Sequence, residues 1–207
     1  MLTVSCSRDD YQVRTEERGP LASLAEGNTR FHTTQPRRPS DNISIVRKMS
    51  AGQHPNAVII CCSDSRVSPE LVFDQGLGDL FVIRTAGNVI GPIEIGSVEY
   101  AVEHLDVKLV VVMGHERCGA IQAYLDSTEL TGYIKHIVDS IAGETEIQNL
   151  RMHRSENTDM YVKANVIHGI RQLVVHSDII RERLGESQLH ITGAVYSMVD
   201  GKVAFIK

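Results

Sequence analysis

Two short clusters hold the residues best suited to chemistry: Cys62-Ser63-Asp64-Ser65-Arg66 and His115-Glu116-Arg117-Cys118. Together they offer two thiols, an imidazole, a carboxyl and a guanidinium. Two thiolates and one imidazole make a Cys2His donor set, an arrangement used for catalytic zinc that leaves the fourth position open. Two soft sulfurs favour Zn2+ over magnesium or calcium. Asp64 lies two residues after Cys62, on the same side if the extended geometry persists. It is therefore a candidate fourth ligand as well as a candidate partner for whatever fills the open position. Arg66 can hold Asp64 through a charge-assisted, bidentate pair that keeps the carboxylate ionised.

Zinc held by neutral histidines lowers the pKa of bound water from about 15.7 toward about 7. Two thiolates donate more negative charge, so zinc in this set is expected to be a weaker Lewis acid. The water then needs help from the Asp64–Arg66 dyad. Cys61 should point away from Cys62, because side chains alternate along a strand. We read Cys61 and Cys6 as small hydrophobes. The four cysteines do not suggest a disulfide framework, since Cys61 and Cys62 are neighbours. Cysteines beside His and Asp in a reducing compartment are more often ligands or nucleophiles. Glu116 and Arg117 read as solvated or interface charges, and His104, His136, His168 and His176 as structural residues on helices. Gly87-Asn88 and Gly119-Ala120 read equally well as pocket backbone or as plain turns.

Each cluster begins where a short apolar run ends. AVIICC (57–62), DLFVIR (79–84) and KLVVVMG (108–114) are rich in Val and Ile, as strands buried on both faces of a parallel sheet are. In open α/β sheets, reactive groups gather outside the carboxyl ends of the strands. Helical stretches lie between these runs. Pro20 to Phe31 and Asp41 to Met49 precede them, separated by QPRRPS. Ser68-Pro69-Glu70 offers a hydroxyl cap, Pro at the first position and an acid in the first turn. Pro92 to Leu105 places Ile95, Val98, Val102 and Leu105 on one stripe. Cys118 to Leu125 opens another helix, and a longer one is predicted from about Asp159 to Leu184. LHITGAVYSM (189–198) and KVAFI (202–206), joined by Asp200-Gly201, read as a closing hairpin. The expectation is an α/β fold: a mostly parallel central sheet, flanking helices and a C-terminal antiparallel hairpin.

At 207 residues the chain can bury one sizeable core. We divide it into residues 1–50, an arm with helices suited to packing on a partner subunit, and residues 51–207, a zinc-binding α/β catalytic domain. The net charge of −5 argues against nucleic acid or anionic membrane as the main partner. No apolar run approaches the roughly 20 residues a membrane span needs, and the polar N-terminus has no secretory h-region. A cytoplasmic protein is expected. There is no GxGxxG after a strand, no Walker loop, no second His to make a zincin and no GxSxG elbow.

The stretch from Ala57 to about Ala123 resembles the core of the β-class carbonic anhydrases. CSDSRVSPELVFDQGLGDLFVIRTAGN, SVEYAVEHL and VVVMGHERCGA carry the resemblance, with LAEGNTRF and ITGAVYSMVDGKVAF extending it more thinly. The resemblance implies a zinc enzyme of α/β fold that hydrates CO2 to bicarbonate and a proton by attack of hydroxide on zinc, as a homodimer or homotetramer. It matches Cys62, His115 and Cys118 to the metal ligands and Asp64 and Arg66 to the catalytic dyad. Family members are seen both with the Asp free and with the Asp on the metal; we expect low pH to favour Asp64 as fourth ligand. A cleft lined by Val67, Phe73 and Val89, or by a partner subunit, would suit so small and apolar a substrate. A carbonyl sulfide or carbon disulfide hydrolase on the same scaffold is the alternative. A non-catalytic zinc protein is the third reading, and the intact Asp64-Arg66 pair counts against it.

Overall fold

Apolar continuity builds the centre of the sheet. β1 (Ala57–Cys62) and β3 (Leu109–His115) are buried at every position, as runs covered on both faces must be. The computed structural model describes residues 19–37, 43–126, 130–153 and 157–206. Cys6 and the arm up to residue 18 lie outside the described residues, as do Arg38 and residues 41–42.

β2 (Leu80–Thr85) and β4 (His190–Tyr196) run parallel to β1 and β3, and β5 (Val203–Ile206) pairs antiparallel with β4. The order is β2-β1-β3-β4-β5. This is the expected mostly parallel sheet with a closing hairpin. β2 and β3 each run one residue further along the chain than their apolar runs predict, so Thr85 and His115 belong to the ladder.

Alternation divides the core. Ala57, Ile59 and Cys61 face a layer with Leu24, Val72 and Phe73. Val58 and Ile60 face Val98, Val102, Val166 and Leu173. Cys62 continues that second face into a cluster with Cys118, Ile121, Ile141, Ile147 and Tyr161. Cys61 thus points away from Cys62, as alternation requires.

The first layer comes from α1 (Pro20–His32) and the short α3 (Pro69–Val72), with α2 (Ile43–Met49) between them in the chain. The buried Asn28 side chain donates to Val72 O and Gly201 O and accepts from Val203 N–H. These bonds fasten α1 to its own sheet. Ser68 does not cap α3 with its hydroxyl, because that hydroxyl donates to Glu70 instead.

On the other face, α4 (Pro92–His104) starts with Glu94 accepting the Gly91 N–H at 2.9 Å. It buries Ile95, Val98 and Val102 as predicted, with Leu105 just past its end. α5 (Gly119–Leu125) follows β3. The next pair, α6 (Ile134–Gly143) and α7 (Thr145–Met152), was not among the predicted elements. The single helix expected from Asp159 to Leu184 is two: α8 (Thr158–His176) and α9 (Asp178–Gly185). Ser177 is extended there and its hydroxyl accepts the Ile180 N–H, starting a new helix. No helix among the described residues is long and apolar enough to cross a membrane.

Candidate metal centre

β1 and β3 are adjacent parallel strands, so their carboxyl ends lie side by side. Cys62 closes β1, His115 closes β3, and Cys118 stands at the head of α5. The ligand atoms of these three residues all lie within 4.8 Å of one another. All three residues are buried, His115 completely.

The donors suit a dication. His115 Nδ1 lies 2.8 Å from the Glu116 carbonyl, so Nδ1 must carry the hydrogen and Nε2 presents a lone pair. That buried Nε2 has no hydrogen-bond partner among the described residues, an arrangement that costs free energy unless something accepts the lone pair. Cys62 is pulled down to about 4, chiefly by the Cys118 thiol beside it and against the cost of burial, with further help from the N–H groups of Asp64 and Gly87. Cys118 is held far above the usual thiol range, first by its contact with Cys62 and then by burial. Two sulfurs this close repel each other as thiolates, a cost that a soft cation between them would offset.

Cys62 Sγ accepts the Asp64 N–H at 3.4 Å and the Gly87 N–H at 3.3 Å. Gly87 lies in a short 3-10 turn, Ala86–Asn88, with φ of +67°. A Cβ there would fall 2.8 Å from Ala120 Cβ, so both conformation and space demand glycine. Of the two readings open to Gly87-Asn88, pocket backbone is the one that fits. Gly119, by contrast, has nothing close to it.

Asp64 stands beside this cluster but outside the three-donor group. Arg66 Nε meets its Oδ1 at 2.9 Å and Arg66 Nη2 its Oδ2 at 2.7 Å. The Arg66 N–H adds a third bond to Oδ1. Arg66, first of all, holds the Asp64 carboxyl well below the usual carboxylate range. Asp64 Oδ2 lies 4.0 Å from His115 Nε2, within a small movement of the metal position.

Two positioning residues escape sequence reading. Arg84 donates to the carbonyls of Cys62 and Asp64, at 3.2 and 2.7 Å. Asn165 donates to Gly87 O at 2.8 Å. Their signal was faint: one cation closing an apolar strand, one amide on an apolar helix face.

Other expectations change. Val67 and Phe73 are fully buried on the Cys61 side, so they cannot line a cleft at the metal. Only Val89 of the three packs with the Cys62 cluster. Glu116 is not a free surface charge: its Oε2 accepts from Ser197 Oγ and Met198 N–H, tying the end of β3 to the β4–β5 connection. Arg117 is exposed. His168 pairs with Glu146, and His104 and His136 lie against Tyr100 and Tyr133, in line with structural roles.

Comparison with known proteins agrees with this geometry. The family model described as carbonic anhydrase matches residues 57–203. Carbonic anhydrase 2 of Mycobacterium tuberculosis is 41% identical over 184 residues, covering 87% of this chain and 88% of that protein. A carbonic anhydrase of Mycolicibacterium smegmatis is 39% identical, over 87% and 89% of the two chains. Among solved structures, the β-carbonic anhydrase CcaA superposes with a TM-score of 0.73 at 29% identity, covering 90% of this chain and 95% of that one. One of two tetrameric β-carbonic anhydrases of Sordaria macrospora gives 0.69 at 25%, over 80% and 87%. With its parallel sheet, its paired strand ends and its Cys2His donors, the chain belongs to the β-class carbonic anhydrase family.

Proposed function

We propose that Cys62, His115 and Cys118 hold zinc and that Asp64, gripped by Arg66, is the catalytic carboxylate of this chain. The reaction is the reversible hydration of CO2 to bicarbonate and a proton. One observation carries the residue assignment: three buried donors converge while an ionised carboxylate waits 4.0 Å from His115 Nε2.

When bound, zinc supplies the Lewis acidity that brings a water toward ionisation at neutral pH. The chain supplies everything else. Cys62 Sγ, Cys118 Sγ and His115 Nε2 form the binding set, and the Glu116 carbonyl fixes the imidazole tautomer. Asp64 accepts the hydrogen of the attacking oxygen at its carboxylate and turns that oxygen's lone pair toward CO2. Arg66 keeps Asp64 ionised and aimed.

A stopped-flow CO2 hydration assay on the zinc-loaded protein, run beside a carbonyl sulfide assay, tests this. Hydration is expected. Sulfide turnover without hydration would put the chain with the sulfide hydrolases, a reading that its kinship does not favour. A Cys62→Ser variant that retained both zinc and activity would remove the residue assignment.

For assembly and location, the same reading extends to a homodimer or homotetramer in the cytoplasm. β2 is an edge strand with no further neighbour in the sheet among the described residues, and Leu71, Leu77, Ile93 and Tyr100 are exposed large hydrophobics. α2, in the N-terminal segment 1–50, leaves Ile43 and Val46 exposed, which suits packing on a partner subunit. Cys61, Cys62 and Cys118 are all free thiols, as a reducing compartment maintains. Sedimentation equilibrium that returned only monomer would remove the assembly.

A further inference from the structure

We propose that Asn165 is a positioning residue for Cys62, acting through Gly87; this rests on Cys62 being a metal ligand. Asn165 lies midway along α8 and is 2% exposed. It shares its stretch with the buried residues Ala164 and Val166. A primary amide there is costly unless it is bonded. Its Nδ2 donates to Gly87 O at 2.8 Å, bridging 78 positions of sequence.

Gly87 is one of two residues, with Asp64, whose N–H meets Cys62 Sγ. It is held at both of its peptide groups: the carbonyl by Asn165 and the N–H by the sulfur. Having no side chain, it has more backbone freedom than any other residue, so its aim must come from neighbours. Ala120 and Ile141 leave no room around it, but apolar contacts restrict position without fixing direction. The hydrogen bond from Asn165 fixes direction.

A hydrogen bond to a ligand sulfur draws off part of the thiolate's charge and keeps the sulfur oriented. Asn165 thereby acts on the two-thiolate problem from the helix layer: it keeps one N–H on the sulfur, so the metal stays a stronger Lewis acid.

Cobalt(II) in place of zinc gives a thiolate-to-metal absorption band that reads the charge on sulfur. In Asn165→Ala and in the near-isosteric Asn165→Leu, neither of which can donate to Gly87 O, the band is expected at longer wavelength. Metal affinity by chelator competition should fall about 10- to 100-fold. Leu173→Val, a buried change about two turns further along α8, should lower the melting temperature without moving the band. An unmoved band and unchanged affinity in both Asn165 variants would overturn the proposal, as would an equal shift in Leu173→Val. If neither Asn165 variant folds, the unaltered protein loaded with spin-half cadmium decides. Scalar coupling from the metal to the Gly87 amide proton is expected, and its absence overturns the proposal. A protein with no thiolate band at all would instead defeat the assignment of Cys62 as ligand.

Discussion

Arg66 holds Asp64 as a fork holds a carboxylate, one guanidinium nitrogen to each oxygen, with its own N–H as a third tine. The Arg66 side chain is more than half exposed, so its value lies in geometry rather than in buried charge. Arg66→Lys keeps a cation but loses the fork. We expect it to lower kcat/KM, and Asp64→Asn to lower it about 100-fold or more. Without the fork, Asp64 Oδ2 needs only a small swing from its place 4.0 Å from His115 Nε2 to become a fourth ligand. Zinc-edge spectra of Arg66→Ala should then show a protein carboxylate oxygen in place of the water oxygen, and more of it at low pH. Spectra identical to the parent, with activity equally retained, would remove Arg66 from the mechanism.

Glu116 acts twice on His115. Its carbonyl takes the Nδ1 hydrogen, and its side chain is anchored by Ser197 and Met198. Glu116→Ala keeps the carbonyl and the Glu116 N–H bond to Tyr196 O, but loses the side-chain anchor that helps to aim it. Metal affinity should drop about tenfold or more, while Glu116→Gln, whose amide oxygen can still accept both bonds, should recover most of it. Chelator competition on both variants checks this. Equal affinity in the alanine variant would return Glu116 to the role of a surface charge.

The donors were legible in the sequence because each follows a run that admits only a buried strand, and strand ends locate reactive groups. Strand alternation alone separates Cys61 from Cys62. What stayed hidden depends on contacts remote in sequence. Arg84 and Asn165 act across 20 or more residues, and nothing in their local pattern says what they touch. Phe73 was misplaced for the same reason: its apolar character predicts burial, not which face of the sheet it joins. The pair α6 and α7 carries ordinary amphipathic spacing, with Ile137, Val138 and Ile141 toward the core. That signal was present but gave way to the stronger strand runs.

Ser177 shows how a helix boundary can hide inside continuous periodicity. The apolar spacing runs through it, yet its hydroxyl both caps Ile180 and donates to Glu99 Oε1 at 2.6 Å. Ser177→Ala loses the cap and leaves the Glu99 carboxylate one donor short. We expect a loss of about 2 kcal/mol, seen as a lower denaturant midpoint with an unchanged slope. CO2 hydration by the folded variant should be unaltered. An unchanged midpoint would show that the break is imposed by packing rather than by the hydroxyl.

Glu144 sets a pH dependence separate from the metal. It links α6 to α7, 3% exposed, between the fully buried Ile141 and Ile147. Its Oε2 has no hydrogen-bond partner among the described residues. Burial pushes its carboxyl up from 4.5 to about 8, with the nearby Glu146 charge adding to the rise and Arg171 opposing it. Because the folded pKa exceeds the unfolded one, the folded state keeps a proton that the unfolded state releases. The contribution of Glu144 to stability is therefore greatest below 4.5, falls as pH climbs, and levels off above about 8. The whole change is on the order of a few kcal/mol. Glu144→Gln cannot ionise, so its stability relative to the parent should rise steadily across that interval. Denaturant titrations of both proteins along the pH series measure the difference directly. A difference that stays flat would mean that the Glu144 carboxyl ionises alike in the folded and unfolded protein, and that burial does not raise it.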